Sequence, residues 1–116
     1  MAAGNYDITI EQGATFMLSL VWKDTEGDPI DVSGCVARMQ IRKTYNSEPV
    51  FSLTTDSDGG IELGGLAGTV EIEIPAEQTE TIDIRRGYYD LEIEFTNGVV
   101  TRLIQGGVDV SREVTK

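Results

Sequence analysis

The sequence predicts an all-β protein, folded as an antiparallel β-sandwich. Three observations carry this expectation. Apolar and polar residues alternate with a period of two along most of the chain, as half-buried strands require. Turn formers break these runs at short intervals, at Gln12-Gly13, residues 23–34, residues 56–60, Gly64-Gly65 and Asn97-Gly98. A single segment, PAEQTET at residues 75–81, has helical character. About seven or more short strands separated by turns are the pattern of a sandwich.

Taken in order, Tyr6, Ile8 and Ile10 alternate with polar neighbours before Gln12-Gly13 ends the run. Phe16, Leu18, Leu20 and Trp22 then share one phase. Residues 23–34 are dense in Gly, Pro, Asp and Ser and predict paired turns. A long strand follows, with Cys35, Ala37, Met39 and Ile41 inward and Val36, Arg38, Gln40 and Arg42 outward. Residues 43–49 form a polar excursion, residues 50–54 a short strand, and residues 56–60 a turn. Ile61 and Leu63 begin a weak strand, and Val70, Ile72 and Ile74 form a clean one-sided one.

Pro75 suits a first helical position, and a glutamate follows in the first turn, so one helical turn is expected. Tyr89, Leu91, Ile93 and Phe95 mark the next strand. Asn97-Gly98 is a strong hairpin signal, since both residues tolerate positive φ. The chain returns through residues 99–105, with a bulge or bend expected at Gly106-Gly107 before Val108 and Val110. The expected core is Phe16, Leu18, Leu20, Trp22, Ala37, Met39, Ile41, Val70, Ile72, Ile74, Tyr89, Leu91, Ile93 and Leu103.

The 116 residues suit one domain, residues 1–116, because domains most often hold about 100–150 residues. With 9 basic and 20 acidic residues the net charge is −11. Such a chain is repelled by nucleic acid and anionic membrane and favours a basic partner surface. No apolar run approaches the ~20 residues of a membrane helix, and the N-terminus lacks a signal-peptide pattern. A soluble protein made in a cytoplasm is expected. Cys35 is the sole cysteine and is expected at a buried strand position as an inert thiol. The absence of histidine removes Ser–His and Cys–His catalysis and most zinc chemistry.

Four acids, Asp24, Glu26, Asp28 and Asp31, crowd the first turn region. A calcium loop of the EF-hand type needs Gly at its sixth position and Glu at its twelfth. Counted from Asp24, those positions hold Pro29 and Cys35, so turns are expected instead. Asp56-Ser57-Asp58-Gly59 departs from the pattern as well. Glu71, Glu73, Asp90, Glu92 and Glu94 could be a catalytic carboxylate set, but they occupy the outward phase of one-sided strands, where charges normally sit. Arg38, Arg42, Arg85, Arg86 and Arg102 are expected to pair with such acids across strands. GGIELGGLAG lacks the Lys-Ser/Thr ending of a phosphate loop. Gly87-Tyr88-Tyr89-Asp90-Leu91 opens a strand after a corner, and a tyrosine placed so can return its hydroxyl to backbone, as in the tyrosine corner of immunoglobulin-like sandwiches.

Several segments together resemble a known family: EQGATF at residues 11–16, VWKD at 21–24, GDPIDVSG at 27–34, ARMQIR at 37–42, GGI at 59–61, GYYDL at 87–91 and RLIQG at 102–106. Over residues 6–114 the chain resembles small tailed-phage virion proteins, whose fold is similar to the immunoglobulin-like N-terminal domain of phage baseplate upper proteins. The resemblance implies an immunoglobulin-like antiparallel β-sandwich of about seven to nine strands. It implies a non-enzymatic structural protein of a tailed bacteriophage virion, at the tail, the head–tail junction or the capsid surface as a decoration. The chain would assemble in the bacterial host cytoplasm. Its partners would be other virion proteins in a symmetric assembly, with no nucleic acid, membrane, cofactor, metal or catalytic residue. Docking would use a sheet face or strand addition at an edge. Residues 6–10 and 43–51 are candidate edges, with Tyr6, Ile8, Ile10, Tyr45 and Phe51 as candidate partner contacts. The alternative is a glycan- or calcium-binding module of the same fold used in host attachment; its mark would be an exposed aromatic platform.

Overall fold

In the computed structural model, which describes residues 4–114, the alternating runs become nine strands in two sheets. They are β1 (Gly4–Asn5), β2 (Ile8–Glu11), β3 (Phe16–Val21), β4 (Val36–Arg42), β5 (Pro49–Thr54), β6 (Ile61–Leu63), β7 (Thr69–Ile74), β8 (Arg86–Glu94) and β9 (Val100–Ser111). The larger sheet runs β1-β9-β8-β4-β5, with β2 also paired to β9, and the smaller runs β3-β7-β6. All pairings are antiparallel except those of β1 and β2, which run parallel to β9. This is an immunoglobulin-like sandwich of the kind with an extra strand beside the central hairpin sheet. Its first strands join the larger sheet rather than the smaller.

Period-two patterning puts one phase of each sheet into a shared core. Met39, Ile41, Leu91 and Ile93 of the larger sheet are sealed against Val70, Ile72 and Ile74 of the smaller, all at 2 % exposure or less. Each such side chain contributes about 1.5–3 kcal/mol by leaving water. Trp22, Ala37 and Tyr89 are buried as expected. Phe16, Leu18, Leu20 and Leu103 are only half-buried, packed against the core from its margins. Phe16, Leu18 and Leu20 lie on an outermost strand. Leu103 is the extra residue of a bulge, since Leu91 pairs with Ile104 and Glu92 with Arg102. Cys35 is also corrected. It precedes β4 in a turn closed by its own N–H to the Val32 carbonyl (3.1 Å), and it stays partly exposed.

The connections follow turn chemistry. Asp24 Oδ1 accepts the N–H groups of Glu26 (2.9 Å) and Asp28 (3.0 Å), and Gly27 takes φ 88°. Asp31 Oδ1 accepts the Ser33 N–H at 2.9 Å, and the Ser33 hydroxyl first and this N–H second lower the Asp31 carboxyl below its ordinary pKa. The helical segment is one turn, α1 (Ala76–Thr79), with Pro75 just before it as the N-cap. At Asn97-Gly98 only Gly98 has positive φ, and Gly98 donates to the Phe95 carbonyl at 2.9 Å. The link is therefore a type I turn ending in a glycine bulge, not the mirror-image turn that two positive φ values would give.

Gly106 and Gly107 stay in register opposite Tyr89 and Tyr88, so β9 neither bulges nor breaks there. The glycines serve close approach instead. A Cβ on Gly106 would collide with the Tyr6 carbonyl, where the chain crosses from β1 to β2. The same carbonyl accepts the Tyr89 hydroxyl. Tyr89 thus returns its hydroxyl to backbone, but to the first strand region rather than to the nearby corner. Burial first, and the neighbouring Tyr6 and Asp7 next, push its phenol up to about 12. The buried Thr79 hydroxyl has the Ala14 and Ala76 carbonyls (2.9 and 3.0 Å) as acceptors for its single proton, and it accepts the Gly13 N–H (3.0 Å). It pins α1 to the turn between β2 and β3.

Candidate functional site

Alternation along β4 and β8 that buries one phase turns the other to the outer face of the larger sheet. Arg38, Gln40 and Arg42 of β4 therefore lie opposite Glu92, Asp90 and Tyr88 of β8. Arg38 bonds both Glu92 (3.1 Å) and Glu94 (3.2 Å). Arg102 of β9 approaches Asp90 at 3.4 Å and donates to Gln105 Oε1 at 3.1 Å. The expected cross-strand pairing of arginines with acids is present for Arg38, Arg86 and Arg102. Arg42 instead donates to Gln40 Oε1 (2.8 Å) and to the Ser47 carbonyl.

That last bond shapes the loop after β4. Ser47 also closes a turn with Thr44 through its Oγ and its N–H. The loop folds back so that Tyr45 stacks on Tyr88, with ring centroids 4.5 Å apart and planes 19° apart. Both rings remain open to solvent, Tyr45 at 76 % and Tyr88 at 42 %. Beside them lies an open cleft of about 440 Å³, lined by Asn5, Gln40, Arg42, Asp90, Glu92, Arg102 and Gln105 as well as the tyrosines. Burial, then the charge of Glu92, raises the Asp90 carboxyl above its ordinary value, against the pull of Arg102, Arg42 and Arg38. The cleft offers flat aromatic faces and a fan of amide, guanidinium and carboxylate groups. Such a surface suits a polar ligand with an apolar face, or a partner's side chains.

The candidate contact residues separate. Tyr45 forms a wall of the cleft, and Tyr6, half exposed, sits at the β1–β2 crossing. Ile8 and Ile10 offer no exposed side chain for a contact. They occupy the inward phase of β2, opposite Val108 and Val110, and are 4 % and 0 % exposed. Phe51 is partly buried and packs against the core. Residues 6–10 and 43–51 do reach sheet edges, through β1–β2 and β5. Tyr88 was missed, although its signal was present: in consecutive Tyr88-Tyr89, period two sends one ring out when the other goes in.

The carboxylates do not converge. Glu71 and Glu73 lie on the exposed face of the smaller sheet, while Asp90, Glu92 and Glu94 lie on that of the larger. Among the described residues, no group of three or more Asp, Glu or Cys side chains gathers as a metal cage would. No helix among them is long and apolar enough to cross a membrane. Comparison with known families gave no matching family model, and comparison with curated proteins gave no match.

Proposed function

We propose that the chain is a non-enzymatic structural protein of a tailed-bacteriophage virion, acting by protein–protein docking. The observation that carries this reading is the ordered set of segments GDPIDVSG, ARMQIR, GYYDL and RLIQG. In the fold they fall on the first long turn and on β4, β8 and β9. The resemblance therefore spans the central strands of the larger sheet rather than one loop. Its position would be the tail, the head–tail junction or the capsid surface, after assembly in the host cytoplasm. Partners would be other virion proteins with basic surfaces, as a net charge of −11 favours. Repetition around a ring or lattice would let weak single contacts add. The test is quantitative mass spectrometry of purified particles. A fixed ratio to the major capsid protein is expected, and absence from particles overturns the reading.

The exposed Tyr45–Tyr88 stack favours a second reading, in which the cleft grips a glycan of the host surface. Sugar rings present apolar faces that lie on aromatic rings, and the flanking amides and charges would bond their hydroxyls. Titration with host surface polysaccharide, followed by tyrosine fluorescence, tests it. Saturable quenching lost in Tyr45→Ala supports it; no change on titration rejects it.

A further inference from the structure

The smaller sheet ends in a strand built unlike the other edges. β3 reads FMLSLV, six residues with no charge and no proline. Among the described residues, only β7 pairs with it. Natural edges are usually shortened, charged, bulged or broken by proline. β6 is three residues long, β5 begins at Pro49 beside a register shift, and β1–β2 is interrupted at Tyr6 and Asp7. β3 has none of these guards within its span. In sandwiches of this class the first strand can lie against this very edge; here β1 and β2 pair with β9 instead.

Two details describe what this edge leaves uncovered. The Trp22 N–H donates to Gly68 (2.8 Å), and the Glu73 N–H donates to Gly60 on the β6 side (2.9 Å). Bonding direction alternates along an antiparallel ladder. With Leu20 opposite Val70 and Leu18 opposite Ile72, the N–H and C=O groups of Met17, Ser19 and Val21 therefore point away from β7. In addition, the inward side chains Phe16, Leu18 and Leu20 are half-buried, while their partners Ile74, Ile72 and Val70 are sealed. An added strand would both pair the free backbone groups and cover the exposed flank of the core.

The charge around the edge selects the occupant. No Lys or Arg occurs in β3, β6 or β7, and Glu62, Glu71 and Glu73 are exposed on the outer face of the sheet. Asp56 and Asp58 extend the acidic surface beyond β6. A second copy would bring the same acidic face and the same net charge. We infer that β3 receives an extended segment of a different protein, in which apolar residues alternate with lysine or arginine. The apolar phase would cover Phe16, Leu18 and Leu20, and the basic phase would lie over the glutamates. This deepens the docking reading above and rests on it for the partner being a virion protein.

The test uses a capped synthetic peptide of alternating valine and lysine, with a valine–glutamate peptide as control, and amide hydrogen exchange resolved by NMR. In the protein alone the Met17, Ser19 and Val21 amides should exchange freely. The valine–lysine peptide should slow them severalfold, and the control should not. Ser19→Pro removes an outward N–H without touching the β3–β7 ladder, so it should abolish the effect while thermal melting stays cooperative. Glu71→Lys with Glu73→Lys should weaken the effect. Amides that stay unprotected overturn the inference. So does protection already present without peptide, which means the chain covers its own edge, or protection that rises with protein concentration alongside a dimer mass. A Ser19→Pro chain that still enters particles rejects the β3 edge but leaves docking intact. Loss of the unmodified chain from particles rejects docking and leaves the peptide result standing.

Discussion

The two sheets share a core but treat their outer faces differently. On the larger sheet, arginines stand among acids, and Arg38 and Arg102 each hold carboxylates within 3.4 Å. On the smaller sheet, Glu62, Glu71 and Glu73 stand without a basic residue on their own strands. The same contrast holds in depth. Leu91 and Ile93 on β8 are fully covered because strands flank them on both sides. Leu18 and Leu20 on β3 have a neighbour on one side only. The larger sheet thus pairs the charges on its outer face, whereas the smaller carries unmatched charge there and an unguarded edge at β3.

The largest expected effect tests the depth contrast. Leu91→Ala should cost about 2–5 kcal/mol, the range for deleting a sealed core side chain. Leu18→Ala should cost less than half as much, read by urea unfolding. Equal losses would mean that β3 is as well covered as β8. Next, Thr79→Val should cost about 1–3 kcal/mol by leaving the Gly13 N–H unpaired, seen as a lower unfolding midpoint with an unchanged slope.

Tyr89 gives the pH prediction. Its folded pKa lies at about 12, above the ordinary 10, so the folded state binds the phenolic proton more tightly than the unfolded chain. The associated stability is present below pH 10 and is lost as pH rises from 10 through 12. Ultraviolet titration should show a late phenolate step that disappears in Tyr89→Phe. The smallest effect belongs to the paired face: Arg38→Ala should cost at most about 1 kcal/mol, reduced further by salt, because the pairs are partly exposed.

Much of this architecture could be read directly from residue order. Val70-Glu71-Ile72-Glu73-Ile74 and Leu91-Glu92-Ile93-Glu94 declare strand, inner phase and outer phase together. Periodicity was silent where burial occurs outside strands. Val32 and Ile82 are sealed in loops, and Thr79 reads as an ordinary helical threonine until its three partners are seen. Alternation predicted inward phase but not coverage: Phe16, Leu18 and Leu20 have the same spacing as sealed residues, and Ile10 and Leu53 are sealed although their strands also have one neighbour each. The tyrosine stack occurs in a loop that Arg42 also bonds at the Ser47 carbonyl, a contact between backbone and side chain that composition does not announce. Tyr6, Ile8 and Ile10 looked alike; the crossing at Gly106 separates the exposed ring from the two core residues.

The parallel pairing of β2 with β9 has a mechanical consequence. Tension applied through the two ends of the described chain pulls β2 and β9 in opposite directions along their own axes. The bonds joining Ile8–Glu11 to residues 108–111 are then loaded together in shear rather than unzipped one by one. The Tyr89 hydroxyl on the Tyr6 carbonyl and the Asp7 carboxylate on the Gly107 N–H brace the same seam. A seam of this kind gives little extension until all of its bonds fail together.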